Sequence, residues 1–268
     1  MIDLRSHILD GTPCGPPSFA DSLEICSAAA ADGITTIVAT LRWEAGSAEP
    51  PLPFEESRRK IKRLEAEMGG ALTFKLGFAL QFSPELPSLA AHYGSNLALA
   101  GGHHILISLP SLEIPPDVED VFQALMCGGF SVILAHPECN PALRRATARL
   151  TQWMMRGLIL QVDAASVAGT HGREVQRCAL EWLRTYVGKV VVASNMRFGT
   201  NQKNLLVLAR EVMIDKLGAR LARGYISDLP ASIIRGGVLC NNWRRPRSQN
   251  LTSLLRFISS SKVLTARR

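Results

Sequence analysis

No run in these 268 residues approaches the roughly 18 uncharged apolar residues a membrane-spanning helix needs. The opening stretch carries Asp3 and Arg5 within its apolar residues, which is not a secretory leader pattern, so a cytoplasmic location is expected. No two cysteines have CxxC spacing: Cys14, Cys26, Cys127, Cys139, Cys178 and Cys240 lie far apart, and in a chain this large they do not suggest a disulfide framework. Nucleotide-loop signatures are missing as well. There is no GxGxxG after a strand, no GxxxxGK followed by Ser or Thr, and no GxSxG nucleophile elbow. Residues 237–268 contain no acid at all. Their bases, Arg244, Arg245, Arg247, Arg256, Lys262, Arg267 and Arg268, account for the whole formal charge of +7, leaving a neutral body and a basic tail.

What the sequence does contain is a regular alternation of apolar strands and amphipathic helices. An apolar strand within the first fifteen residues, ending at Arg5 and His7 before a Gly/Pro-rich loop, is followed by Thr35–Arg42, Thr73–Phe82, Ile105–Leu109, Ser131–Ala135, Leu158–Asp163 and Val190–Ala193, which also read as strands. Between them, Ser18-Phe-Ala-Asp21 reads as a capping box opening a helix, and Phe54–Met68, Ser83–Tyr93, Val118–Cys127, Leu143–Arg156 and Arg173–Tyr186 read as further helices. Leu205–Leu217 and Asp228–Ile234 finish the body. Strict β-then-α order predicts parallel strands, and without a phosphate loop it favours closure into a barrel over an open sheet. The expected organisation is an α/β, TIM-like (β/α)7 barrel over residues 1–236 and a tail over 237–268.

Parallel strands buried on both faces are expected to be apolar throughout, and in barrels the chemistry gathers where the strands end. Here the strand ends deliver Arg5, His7, Cys14, Arg42, Ser108, His136, Glu138, Cys139, Asn195 and Arg197. The adjacent His103 and His104 read as a surface pair, Trp153, Met154 and Met155 as core packing, and Asn140 as a residue within reach of a ligand.

The segments Met1-Ile-Asp-Leu-Arg-Ser-His-Ile-Leu-Asp-Gly11, Asp21-Ser-Leu-Glu24, Asp32-Gly-Ile-Thr-Thr-Ile-Val-Ala-Thr40, Ile133-Leu-Ala-His-Pro-Glu138 and Val192-Ala-Ser194 resemble the bacterial PHP-domain tyrosine phosphatases of capsule and exopolysaccharide operons, the CpsB/CapC type. That resemblance covers roughly residues 1–236. It implies a distorted barrel whose divalent metal cluster, often manganese, activates water against phosphotyrosine on a partner tyrosine kinase. Measured against it, the chain departs at the metal positions. Arg5, Cys14, Arg42, Ala79, Ser108, Asn195 and Arg197 stand where the family places ligands, and only His7 and His136 keep them. Cys139 replaces an arginine that usually follows His-Pro-Glu.

A cluster of hard divalent ions needs carboxylates for neutralisation, and a guanidinium offers no lone pair. The expectation is therefore that no manganese cluster assembles, and that Arg5, Arg42 and Arg197 give the pocket affinity for phosphate or another anion. Against it stands pairing of these arginines with Asp3, Asp163 or Glu138 in a site without function. A working phosphatase using His7 and His136 in a rearranged site is the other alternative, with residual manganese. A single tetrahedral zinc on His7, Cys14, His136 and Cys139 is a third possibility. In the tail, Leu251, Leu254, Leu255 and Ile258 recur at helical spacing beside bases, a pattern that suits an anionic membrane surface or an acidic partner; no nucleic-acid recognition motif is present.

Overall fold

A computed structural model describes residues 1–199 and 205–236. Seven strands, β1 (Ile2–Ser6), β2 (Thr36–Trp43), β3 (Thr73–Gln81), β4 (His104–Ser108), β5 (Ser131–Ala135), β6 (Ile159–Asp163) and β7 (Val190–Ala193), run parallel in sequential order. Each sequential pair needs a crossover, and the intervening helices supply it: α1 (Phe19–Ala31), α2 (Phe54–Glu67), α3 (Leu86–Tyr93), α4 (Val118–Cys127), α5 (Pro141–Arg145), α6 (Thr147–Met155), α7 (Ala164–Ala168) and α8 (Arg173–Thr185). After β7 come α9 (Leu205–Leu217), α10 (Ala219–Arg223), a π-helical turn (Gly224–Asp228) and α11 (Leu229–Ile234). The sheet closes on itself beyond the regular strands. His7 N donates to Met196 O at 2.8 Å, Asn195 N donates to Arg5 O at 2.9 Å, and Asp3 accepts from the Ser194 backbone at 2.9 Å and from its hydroxyl.

The two faces of the strands divide the core. Ile105 and Ile107, Val132 and Leu134, Leu160 and Val162, and Val190 and Val192 pack outward into the layer shared with the helices. Alternate residues, Leu106, Ile133, Ile159 and Val191, are equally buried and face the barrel interior. Midway along β3 the interior is so close-packed that a Cβ on Gly77 would stand 2.7 Å from a Leu99 methyl and 2.9 Å from a Val38 methyl, so a larger residue there would have to displace those side chains. Toward the strand ends the inward residues become small or polar: Thr40, Ala79, Ser108, Ala135, Gln161 and Asp163. That change of size and polarity leaves room at the C-terminal mouth.

Several local expectations are met and several are corrected. Ser18 caps α1, its hydroxyl accepting from Asp21 N at 3.2 Å. The single helix expected over Leu143–Arg156 is two, broken at Ala146 (φ −93°, ψ 38°). Met155 is 81% exposed, so only Trp153 and Met154 of that trio are core. His104 is buried at the start of β4 instead of forming a surface pair with His103. The tail 237–268 lies outside the described residues.

Candidate functional site

The polar cluster at the mouth is built from the ends of β1, β5, β6 and β7. Inward-facing Arg5 on β1 donates through Nη1 to Gln161 Oε1 at 3.2 Å, with Asp163 Oδ1 at 3.9 Å. Gln161 Nε2 in turn donates to Asp163 Oδ1 at 2.8 Å, and Asn195 Nδ2 donates to Asp163 Oδ2 at 2.9 Å. Glu138 reaches the same network from the turn after β5, its Oε1 accepting from Asp163 N at 2.8 Å and from Ser166 Oγ at 2.6 Å. Asp3 is already committed to Ser194, so of the three acids expected as partners for the arginines only Asp163 stands beside Arg5. Arg42 instead pairs with Glu44 at 2.6 Å on the partly exposed rim, next to Cys14. Glu44 follows the last residue of β2, close enough in sequence for the pair to form locally.

Backbone strain marks the same place. Among the described residues four non-glycines have positive φ, and three of them are Cys14 (65°), His136 (38°) and Asn195 (51°). Such conformations persist only where the surroundings enforce them. At His136 the left-handed turn lets its N–H donate to Gln161 O at 2.7 Å and starts the 3-10 turn Pro137–Cys139, which folds Glu138 back under β6. Asn140 then caps α5 through Oδ1 while its amide donates to Pro110 O and Glu113 O, so it is a structural tie and not a ligand-binding group.

Burial and charge set the protonation of the mouth. The His7 imidazole is pushed down to about 3 by burial and by Arg5 and Arg197, with Arg42 adding to the effect. His136 falls to about 4, again from burial first and Arg5 second. His7 is thus the group on which the charges of Arg5, Arg197 and Arg42 all bear. Burial and the neighbouring Asp163 push the Glu138 acid up to about 8, and burial raises Asp3 to about 6. Several buried polar atoms have no partner within the protein: Arg5 Nε, both ring nitrogens of His7, Thr40 Oγ1 and Ser108 Oγ. Buried polar groups are rarely left so.

A hard metal cluster does not fit these residues. Asp3 is bound by Ser194, so few carboxylates are left to neutralise several dications, while Arg5, Arg197 and Arg42 act on His7 and Arg5 and Arg197 on His136. The four-residue zinc set is not assembled either. Among the described residues, the one group of three whose ligand atoms lie within 4.8 Å of one another is Cys139, Asp163 and His171, without His7, Cys14 or His136. His171, 32 residues after Cys139 and in no metal-ligand spacing with it, is a member that the sequence pattern does not signal. A turn after α7, with Gly169 at φ 90° and Thr170 N donating to Ala165 O, brings His171 back over Cys139.

Residues 1–235 match the family described as capsular polysaccharide synthesis, CpsB/CapC. The chain belongs to this family. Among CpsB/CapC relatives, the tyrosine-protein phosphatase YwqE of Bacillus subtilis is 29% identical over 217 residues, covering 79% of this chain and 85% of YwqE. The tyrosine-protein phosphatase CpsB of Streptococcus pneumoniae is 22% identical over 241 residues, covering 87% and 98%. A crystal structure from work on YwqE and CpsB, described as unique metal-dependent tyrosine phosphatases, superposes with a TM-score of 0.78 at 24% identity, covering 88% of this chain and 95% of that one. A lactonase from Listeria monocytogenes shares the barrel more distantly, with a TM-score of 0.57 at 12% identity. The distorted TIM-like barrel is therefore the CpsB/CapC fold, and among the described residues no helix is long and apolar enough to cross a membrane.

Proposed function

We propose that this CpsB/CapC barrel binds a phosphorylated ligand through guanidinium groups and does not hydrolyse it through a metal cluster. The observation that carries the reading is the set of buried atoms without a protein partner, Arg5 Nε, the His7 ring, Thr40 Oγ1 and Ser108 Oγ, beside Arg42 and Arg197. Arg5 Nε, the two hydroxyls and one nitrogen of the neutral His7 ring can each donate a hydrogen bond, and the guanidiniums supply the positive charge that favours an oxyanion over a cation. The family context makes phosphotyrosine on a capsule-system tyrosine kinase the natural ligand, and a regulatory role follows from binding without turnover.

Arg42 has a direct test because Glu44 competes for it. Phosphotyrosine peptide, titrated calorimetrically at low salt with chelator present, is expected to bind. Arg42→Ala should weaken that binding roughly 10–100-fold, the loss of one charged hydrogen-bonded contact of about 1.5–3 kcal/mol, while Glu44→Gln should tighten it. Absence of binding, or indifference to Arg42→Ala, would remove the anion reading. Manganese-stimulated turnover of the same peptide, abolished by His136→Ala, would instead establish the working phosphatase.

A further inference from the structure

On the β6 side of the mouth lies a group of side chains with different chemistry. Cys139 Sγ stands 3.4 Å from His171 Nδ1, and both lie within 4.8 Å of a carboxylate oxygen of Asp163. In a tetrahedral zinc site, bonds of about 2.3 Å to sulfur and about 2.0–2.1 Å to nitrogen place those two atoms about 3.5 Å apart. The cysteine and histidine are already at that spacing without any ion to draw them together.

We propose that Cys139, His171 and Asp163 form a site for one soft divalent cation of the zinc type, its fourth position open to solvent on the His171 side. The surroundings suit it. Each Asp163 oxygen accepts one hydrogen bond, from Gln161 or Asn195, which orients the carboxylate and leaves a lone pair on each oxygen. Ser166 lies 3.6 Å from the Cys139 sulfur and 3.1 Å from His171 Nδ1, and gives its proton to Glu138, so toward the site it presents only oxygen. Glu138 is fully buried, and its second oxygen has no protein partner. The thiolate and the Asp163 carboxylate carry the negative charge that faces the dication, the carboxylate sharing its charge with Arg5 Nη1 at 3.9 Å, and a thiolate selects zinc over manganese or magnesium. On binding, the Cys139 thiol gives its proton to solvent and its sulfur lone pair to the metal. His171 is exposed and Cys139 half-buried, so an ion has a way in. The inference goes beyond the anion reading and does not depend on it: Asp163 borders Arg5 at 3.9 Å, while Cys139 and His171 belong to the metal group alone.

Cobalt(II) added to the chelator-stripped full chain is the probe, with zinc as competitor. One cobalt per chain is expected, with near-ultraviolet thiolate-to-metal absorption and the visible bands of four-coordinate cobalt, all displaced by one equivalent of zinc. Cys139→Ser should abolish the thiolate absorption, and Cys14→Ser and Cys127→Ser should retain it. His171→Ala, at an exposed position that leaves the core intact, should weaken binding at least about tenfold. No thiolate absorption in the native chain, its survival in Cys139→Ser, or unchanged affinity in His171→Ala would each overturn the proposal. Should Cys139→Ser fail to fold, the His171→Ala titration alone decides. Phosphotyrosine-peptide binding measured with chelator present reads the arginine site separately.

Discussion

Replacing Glu138 by glutamine should stabilise this protein in alkaline solution and do little in acid. Glu138 is fully buried, and burial together with the nearby Asp163 carboxylate raises its acid from the usual 4.5 to about 8. The folded state therefore holds a proton that the unfolded chain releases. Stability from this group is complete below about 4.5, and declines as pH rises until it is lost above about 8. Each tenfold difference in proton affinity is about 1.4 kcal/mol, which sets an upper bound of roughly 5 kcal/mol; reorganisation around the charge brings the expected effect to about 2–4 kcal/mol. Glutamine imitates the protonated acid. Its carbonyl oxygen can accept from Asp163 N and Ser166 Oγ as Glu138 Oε1 does, and Glu138 Oε2 has no protein partner for the amide to lose. Urea denaturation in chelator at pH 5 and at pH 8.5 measures it. The two chains should have similar midpoints at pH 5, and Glu138→Gln should have the higher midpoint at pH 8.5. A variant less stable than the native protein at pH 8.5 would show that Glu138 is held as a carboxylate, and the account of the buried network would be wrong.

Two further outcomes follow from the same geometry. The His7 imidazole, depressed to about 3, should show ring-proton chemical shifts that stay flat from pH 5 to 8; a midpoint near the ordinary 6.5 would refute the burial and positive field assigned to the mouth. Trp43 is 1% exposed, packs against Phe54, Phe78 and Tyr93 at centroid distances of 6.5, 5.3 and 5.4 Å, and donates to Ser47 O. Trp43→Ala should therefore cost about 3–5 kcal/mol in calorimetric unfolding, and a change below about 1 kcal/mol would deny that this cluster anchors β2 to the helix layer.

The sequence alone determined the seven strands, their parallel order and the end of the barrel where polar groups collect. Those features depend on periodicity and strand ends, which are local, and on crossover rules that leave little choice of topology. The Arg42–Glu44 pair was not legible in the sequence, because Glu44 lies just past the end of β2, where the chain leaves the regular strand alternation. Tertiary structure alone decided where Asp3, Asp163 and Glu138 spend their hydrogen bonds. The contacts of Asp3 with Ser194 and of Arg5 with Gln161 join residues 191 and 156 positions apart, and only barrel closure sets them. It likewise took Cys139 away from the histidines of the opening and fifth strands and gave it His171, 32 residues on, because the turn after α7 reverses the chain over β6. Residue type shows what a side chain is able to do, but its partners are set by the path of the chain through three dimensions.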